Sequence, residues 1–144
     1  MSRAMSAEET TEFLSHGTRT GKLATVRPDG GPHVQPIWFV LDETDGALVF
    51  MTGARTVKGR NLRRDPRASL VVDDEAPPFA YVRVDGTVAI SEELDEMLVW
   101  ATRIAFRYMG PDLAASYGRR NAVPGELMVR LTPTHLVTEA GVAD

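Results

Sequence analysis

Apolar and polar residues alternate in short runs along most of this chain and recur at helical spacing in only a few places. Ser6 and Glu9 stand at capping-box spacing just before Phe13 and Leu14, which predicts a short amphipathic helix over 7–16, closed by Gly17. The stretch GKLATVRPDGGPHVQPIWFVL then reads as a hairpin. It has a strand around Leu23 and Thr25, turn chemistry in Pro28-Asp29-Gly30-Gly31, and a single return strand over 34–41. After a second turn at 42–46, ALVFMT predicts a third strand. Residues 55–64 predict a helix stopped at Asp65-Pro66, because the residue before a proline avoids the helical region. RASLVVD is a fourth strand, and FAYVRVDGTVAI alternates, with Tyr81, Val82, Val84, Val88 and Ile90 as core or interface positions. Gly86 inside that run points to a bulge or a close backbone approach.

The helical period returns after Ser91, which is placed to cap a helix over 92–109 carrying a stripe of Leu94, Leu98, Ala101, Ala105 and Met109. Gly110-Pro111 ends it, 112–120 can form a further short helix, and ELMVRLTPTHLVTEAG is a last strand, disturbed at Pro133. Five to seven short strands with turn signals and few helices predict a mainly β (α+β) protein built as an antiparallel barrel. One domain is expected over 1–144. It has an N-terminal helix in 1–17, a barrel core in 18–90, a helical segment in 91–125, and a final strand and tail in 126–144.

Composition narrows the function classes. With 43% hydrophobic and 25% charged residues the chain is ordinary globular material. The absence of cysteine excludes disulfide scaffolds, thiolate metal sites and cysteine nucleophiles together. No apolar run reaches membrane-spanning length, and the start MSRAMSAEETTEFLSHG carries acids where a signal peptide needs an apolar stretch. A cytoplasmic protein without membrane insertion is expected. The net charge of -4 argues against a nucleic-acid binder.

Most candidate motifs fail on spacing. GTRTGKL at 17–23 has three residues, not four, before Gly21-Lys22, and Leu23 stands where a phosphate loop needs a hydroxyl. His16, His33 and His135 lie far apart with no ligand spacing, so no metal site is expected. His33 starts the second strand and ranks above the other two. No nucleophile-elbow or Ser-His-Asp pattern is present, and Asp73-Asp74 and Glu92-Glu93 sit at element ends, where their role is structural.

One stretch does stand out. TGARTVKGRNLRRDPRASLVV, 52–72, holds six cations and a single acid in an otherwise acidic chain. On a helix starting near Thr56, Lys58 falls in the first turn, where the helix dipole disfavours a cation, and Arg55 stands beside the same end. Cations there make sense if an anion docks on them and on the free backbone N–H groups. Thr52 and Thr56 offer hydroxyls, and Asn61 follows one turn later. Arg63, Arg64 and Arg67 lie beyond that turn and suit a solvated or Asp65-paired surface. The front half of the stretch therefore reads as a phosphate socket.

GKLATVRPDGGPHVQPIWFVLD, a turn, LVFMT and ARTVKGRNLRRDPRASLVV resemble the split β-barrel flavin and deazaflavin oxidoreductases related to pyridoxamine 5'-phosphate oxidases. The nearest likeness is to the actinobacterial group that uses coenzyme F420. The run from Lys58 to Arg67 is its most specific part, and the resemblance covers about residues 18–90. It implies a homodimer of six-stranded split barrels of the FMN-binding-protein type, with cofactor at the subunit interface. It also implies a phosphate held by Lys58 and Arg55 with Thr56 and Asn61, and a ring system against Gln35, Pro36, Ile37 and Trp38, with Met51 and Thr52 following. Tyr81 is a candidate contact from the partner chain. The segment with Tyr108, Tyr117, Arg119 and Arg120 is expected to wall the substrate side.

The C-terminal Trp-x-x-x-Arg pattern of the pyridoxamine phosphate oxidases is absent, which argues against that substrate. The activity implied is hydride transfer between the deazaflavin and a small electron-poor organic substrate, with the proton donor open between solvent and Tyr108. An FMN enzyme on the same barrel and a non-catalytic F420 carrier are the alternatives; both cofactors bear a phosphate, so the socket alone does not separate them.

Overall fold

The computed structural model describes all 144 residues. Its alternating runs become seven strands: β1 (Gly21–Val26), β2 (Pro32–Ile37), β3 (Val40–Leu41), β4 (Leu48–Gly53), β5 (Arg67–Asp74), β6 (Ala80–Ser91) and β7 (Glu126–Ala140). They form one antiparallel sheet in the order β2-β1-β5-β6-β7-β4-β3. Four helices accompany it: α1 (Ala7–Ser15), α2 (Val57–Arg64), α3 (Leu94–Met109) and α4 (Pro111–Asn121).

The strand order has a geometric consequence. β2 and β3 are the two outer edges of the sheet, yet only Trp38 and Phe39 separate them in the chain. Three virtual bonds reach about 11 Å at most, so the sheet must curl until its edges nearly meet. The edges are not hydrogen-bonded to each other, which leaves a split barrel. The expected six strands are therefore seven: the single return strand over 34–41 breaks at Trp38-Phe39, where the chain passes from one edge to the other.

Phe39, fully buried, plugs this seam. Two adjacent α3 residues fasten it. Arg107 donates to the carbonyls of Gly17 (2.9 Å), Phe39 (2.7 Å) and Leu14 (2.8 Å). The Tyr108 hydroxyl donates to the Arg19 carbonyl (2.8 Å) and accepts from the Phe39 N–H (3.2 Å). Burial lowers the Arg107 pKa from its ordinary value and raises that of Tyr108.

Inside the barrel, Leu23, Phe50, Leu70, Val72, Val82, Val84, Leu127 and Val129 pack around Phe39. Each such side chain contributes about 1.5–3 kcal/mol by leaving water. β4 is buried on both faces, since Phe50 points into the barrel while Val49 packs outside it with Met97, Trp100 and Met128. Gly86 answers the expectation placed on it. The register of β6 against β7 shifts between Asp85 and Gly86, and a Cβ at Gly86 would fall on the Thr132 carbonyl.

Two details of the α3 reading change. Ser91 ends β6, and the cap is Glu93, whose carboxylate accepts from Asp95 N–H and Glu96 N–H. The buried stripe is Met97, Trp100, Ala101, Ile104 and Ala105, which leaves Leu94 and Leu98 exposed. Two packed surfaces, β4 and α4, compete for this helix and turn it away from the face that leucine spacing suggests.

Candidate functional site

α2 begins where it does because of three residues at its start. Thr56 caps it, accepting from the Gly59 N–H (3.1 Å) and donating to the Gly53 carbonyl (2.7 Å). The Thr56 hydroxyl has one proton and gives it to Gly53, so Thr52, 2.9 Å away, is the donor in their contact. A Cβ at Gly59 would overlap the Gly53 carbonyl oxygen, so only glycine lets the first turn of α2 sit on the end of β4. Asn61 anchors the other side: it is buried, donates to the Thr25 hydroxyl (3.0 Å) and accepts from Arg64 (3.0 Å). The Val57 and Lys58 amides, the first two of the helix, have no partner in the chain.

Held this way, Lys58 points into a cleft of about 360 Å³ lined by Thr20, Pro36, Ile37, Trp38, Met51, Lys58, Ala101, Ile104 and Asn121. The outer end of β2, β4, α2, α3 and the last residue of α4 each supply part of its wall. Trp38, 42% exposed, stacks on Tyr108 with ring centroids 4.9 Å apart. Burial pushes the Lys58 ammonium below its ordinary pKa, against the pull of Glu126. Burial likewise raises the Glu126 carboxyl, against the pull of Lys58. Glu126 faces Gly53 across the β4–β7 ladder, which places it beside the start of α2.

The structure divides the cation-rich stretch in two. Arg63 pairs with Glu92 (2.9 Å) and Arg67 with Asp65 (2.7 Å), while Arg64 bonds the Val26 carbonyl and Asn61. Arg55 and Lys58 form no ion pair. Arg55 is exposed just ahead of the cap.

Of the ten expected site residues, Pro36, Ile37, Trp38, Met51 and Lys58 line one cleft. Thr52, Thr56 and Asn61 do not. Their polar groups hold α2 in place, because a cap and a buried amide must satisfy backbone and neighbours first. Gln35 is exposed on β2 opposite Leu23 and outside the cleft lining. His33, half-buried opposite Thr25, also lies outside it. Tyr81 donates to Glu139 (2.9 Å), and Arg120 covers the Tyr117 ring.

Sequence reasoning missed Thr20, Ile104, Asn121 and Glu126. Ile104 was one position off the expected stripe and could have been found from it. Glu126 carried no local signal, since only strand pairing brings it to Gly53.

Residues 6–137 match the family described as Pyridoxamine 5'-phosphate oxidase. A stretch of 57 residues is 42% identical to a 5a,11a-dehydrotetracycline/5a,11a-dehydrooxytetracycline reductase of Streptomyces rimosus, covering 38% of this chain and 39% of that protein. This chain thus spans well under half the length of that relative in the match. Among solved structures, a conserved hypothetical protein of Mycobacterium tuberculosis superposes with a TM-score of 0.83 at 29% identity, over 95% of this chain and 86% of that one. A structure named F420 reductase does so with a TM-score of 0.68 at 28% identity, over 88% and 94%. No helix here is long and apolar enough to cross a membrane. With the curled sheet and a family match over nearly the whole length, the chain belongs to the pyridoxamine 5'-phosphate oxidase family and has a split β-barrel fold.

Proposed function

We propose that this protein binds coenzyme F420 in the cleft beside α2 and transfers hydride between it and a small electron-poor organic substrate. The observation that carries the reading is Lys58. Its half-buried ammonium stands in a largely apolar cleft without an ion pair, an arrangement that an anionic ligand would stabilise. The donor set fits a phosphorylated ring cofactor. Lys58, Arg55 and the free Val57 and Lys58 amides suit the phosphate, and Pro36, Ile37, Trp38 and Met51 offer an apolar wall for the ring.

When bound, the reduced deazaflavin supplies the hydride, and the protein supplies orientation and the exclusion of water. Ala101 and Ile104 of α3 close the cleft from the other side, while Thr20 and Asn121 present its uncharged polar groups. Tyr108 lies outside the cleft lining with its hydroxyl donating to the Arg19 carbonyl, which supports solvent over Tyr108 as proton donor. The exposed apolar residues Leu98, Val99 and Phe106 of α3 and Val34 of β2 support a homodimer that completes the site, which sedimentation equilibrium tests.

Titration of the protein with F420 and with FMN, followed by tryptophan and cofactor fluorescence, tests the reading. Selective F420 binding, weakened about 10- to 100-fold in Lys58→Ala, is the expected result for loss of a charge-assisted contact. FMN preference would move the protein to the flavin branch, and binding of neither would overturn the socket. Turnover of a conjugated enone panel with reduced F420 then separates an enzyme from a carrier.

A further inference from the structure

The acid beside the socket has no counterpart in the reading above. Glu126 starts β7 directly opposite Gly53, and Gly53 is also the residue on which α2 is capped, its carbonyl accepting from both the Thr56 N–H (3.2 Å) and hydroxyl (2.7 Å). A Cβ at Gly53 would lie 3.8 Å from Glu126 Oε1, so the carboxylate reaches over the same backbone that carries the helix start. Glu126 makes no side-chain hydrogen bond or ion pair of its own, and it is the one acid that acts on Lys58. A carboxylate next to an anion socket weakens it by like-charge repulsion, and more so for a ligand with more charge.

We infer that Glu126 tunes the charge of the ligand this socket accepts, cutting its attraction for a doubly charged phosphomonoester more than for a singly charged phosphodiester. This rests on the cofactor reading above and deepens it. Two cations, Lys58 and Arg55, offset by one carboxylate leave a single net positive charge at the start of α2. A phosphodiester holds one negative charge. A terminal phosphomonoester carries close to two at neutral pH, its second pKa being about 6. Coenzyme F420 joins its side chain through a phosphodiester, whereas FMN ends in a monoester. The phosphate common to both is thus read by charge, through a residue outside the cation-rich stretch.

The test is a ring-matched pair, FMN and its methyl phosphodiester, titrated at about pH 8, above the second phosphate pKa, against the intact protein and against Glu126→Gln. F420 is titrated in parallel. The expected result is that the native chain has a smaller monoester-to-diester affinity ratio than Glu126→Gln. Glu126→Gln should tighten the monoester about tenfold and the diester about threefold, because removing one repulsive charge acts twice on a dianion. Equal tightening of both, no change in either, or no binding of either ring-matched ligand overturns the inference. F420 binding in that same series decides the cofactor reading separately: F420 held well, with monoester and diester responding alike to Glu126→Gln, sinks this inference and leaves that reading standing.

Discussion

Trp38 and Tyr108 lie face to face, their ring centroids 4.9 Å apart and their planes within 4° of parallel. The pair joins the seam of the barrel to the wall of the cleft. Tyr108 is held by the Arg19 carbonyl and the Phe39 N–H on one side of that seam, and Trp38 faces the cleft on the other. Tyr108→Phe should keep the stack, lose the two hydrogen bonds and cost about 1–2 kcal/mol in chemical denaturation. Tyr108→Ala should cost more and free the Trp38 ring. A loss of near-ultraviolet circular dichroism in the alanine variant but not in the phenylalanine variant checks this.

Gly59→Ala should disturb the start of α2, since its Cβ has no room beside the Gly53 carbonyl. A destabilisation of about 1–3 kcal/mol is expected. Cofactor affinity should fall with it, although residue 59 faces the sheet and not the cleft. An alanine variant with native stability and native affinity would show that the helix can shift without moving Lys58.

Lys58→Met should separate stability from binding. The Lys58 pKa is lowered in the folded chain, so its charged form is penalised there, and that penalty is present throughout neutral pH, easing only as pH rises through the folded pKa toward the ordinary value of 10.5. Removing the charge should leave the ligand-free protein as stable as before or more so, while cofactor binding weakens. Thermal unfolding with and without cofactor measures both.

Asp42 predicts part of the acid response. Bonds from the Thr44 hydroxyl, Arg130 (2.6 Å) and the Thr44 N–H hold its carboxyl at about 2, below the ordinary 3.8. The sign follows from the lowered value: this contribution is present above the ordinary pKa and is lost as pH falls toward 2. Asp42→Asn should lower stability at neutral pH by about 1–3 kcal/mol and flatten its fall between pH 4 and pH 2. Glu9 and Asp65 are also held at about 2, so the comparison with wild type, not the wild-type curve, isolates Asp42.

Local chemistry was legible from residues alone. The Ser6–Glu9 capping box, the Asp65-Pro66 helix stop, the Gly86 bulge and the Asp65 pairing of Arg67 all stand as read. Each depends on neighbours within a few positions or on one backbone requirement, which side-chain type reports directly. The expectation of an anion at Lys58 has the same local origin: the dipole conflict is written into the order of residues.

The remaining features arise from long-range pairing. That residues 34–41 hold two strands follows from barrel closure, since Trp38 and Phe39 must cross from one sheet edge to the other. Asn61 and Thr52 turned inward because a buried core has to satisfy its polar groups, a demand invisible along the chain. Ala101 and Ile104 reached the cleft because α3 answers to two packed surfaces at once. Glu126, seventy-three positions beyond Gly53, meets the start of α2 only through the β4–β7 register. Propensity and capping are local free energies and can be read in order; the position of a charge across a sheet is settled by how the whole barrel closes.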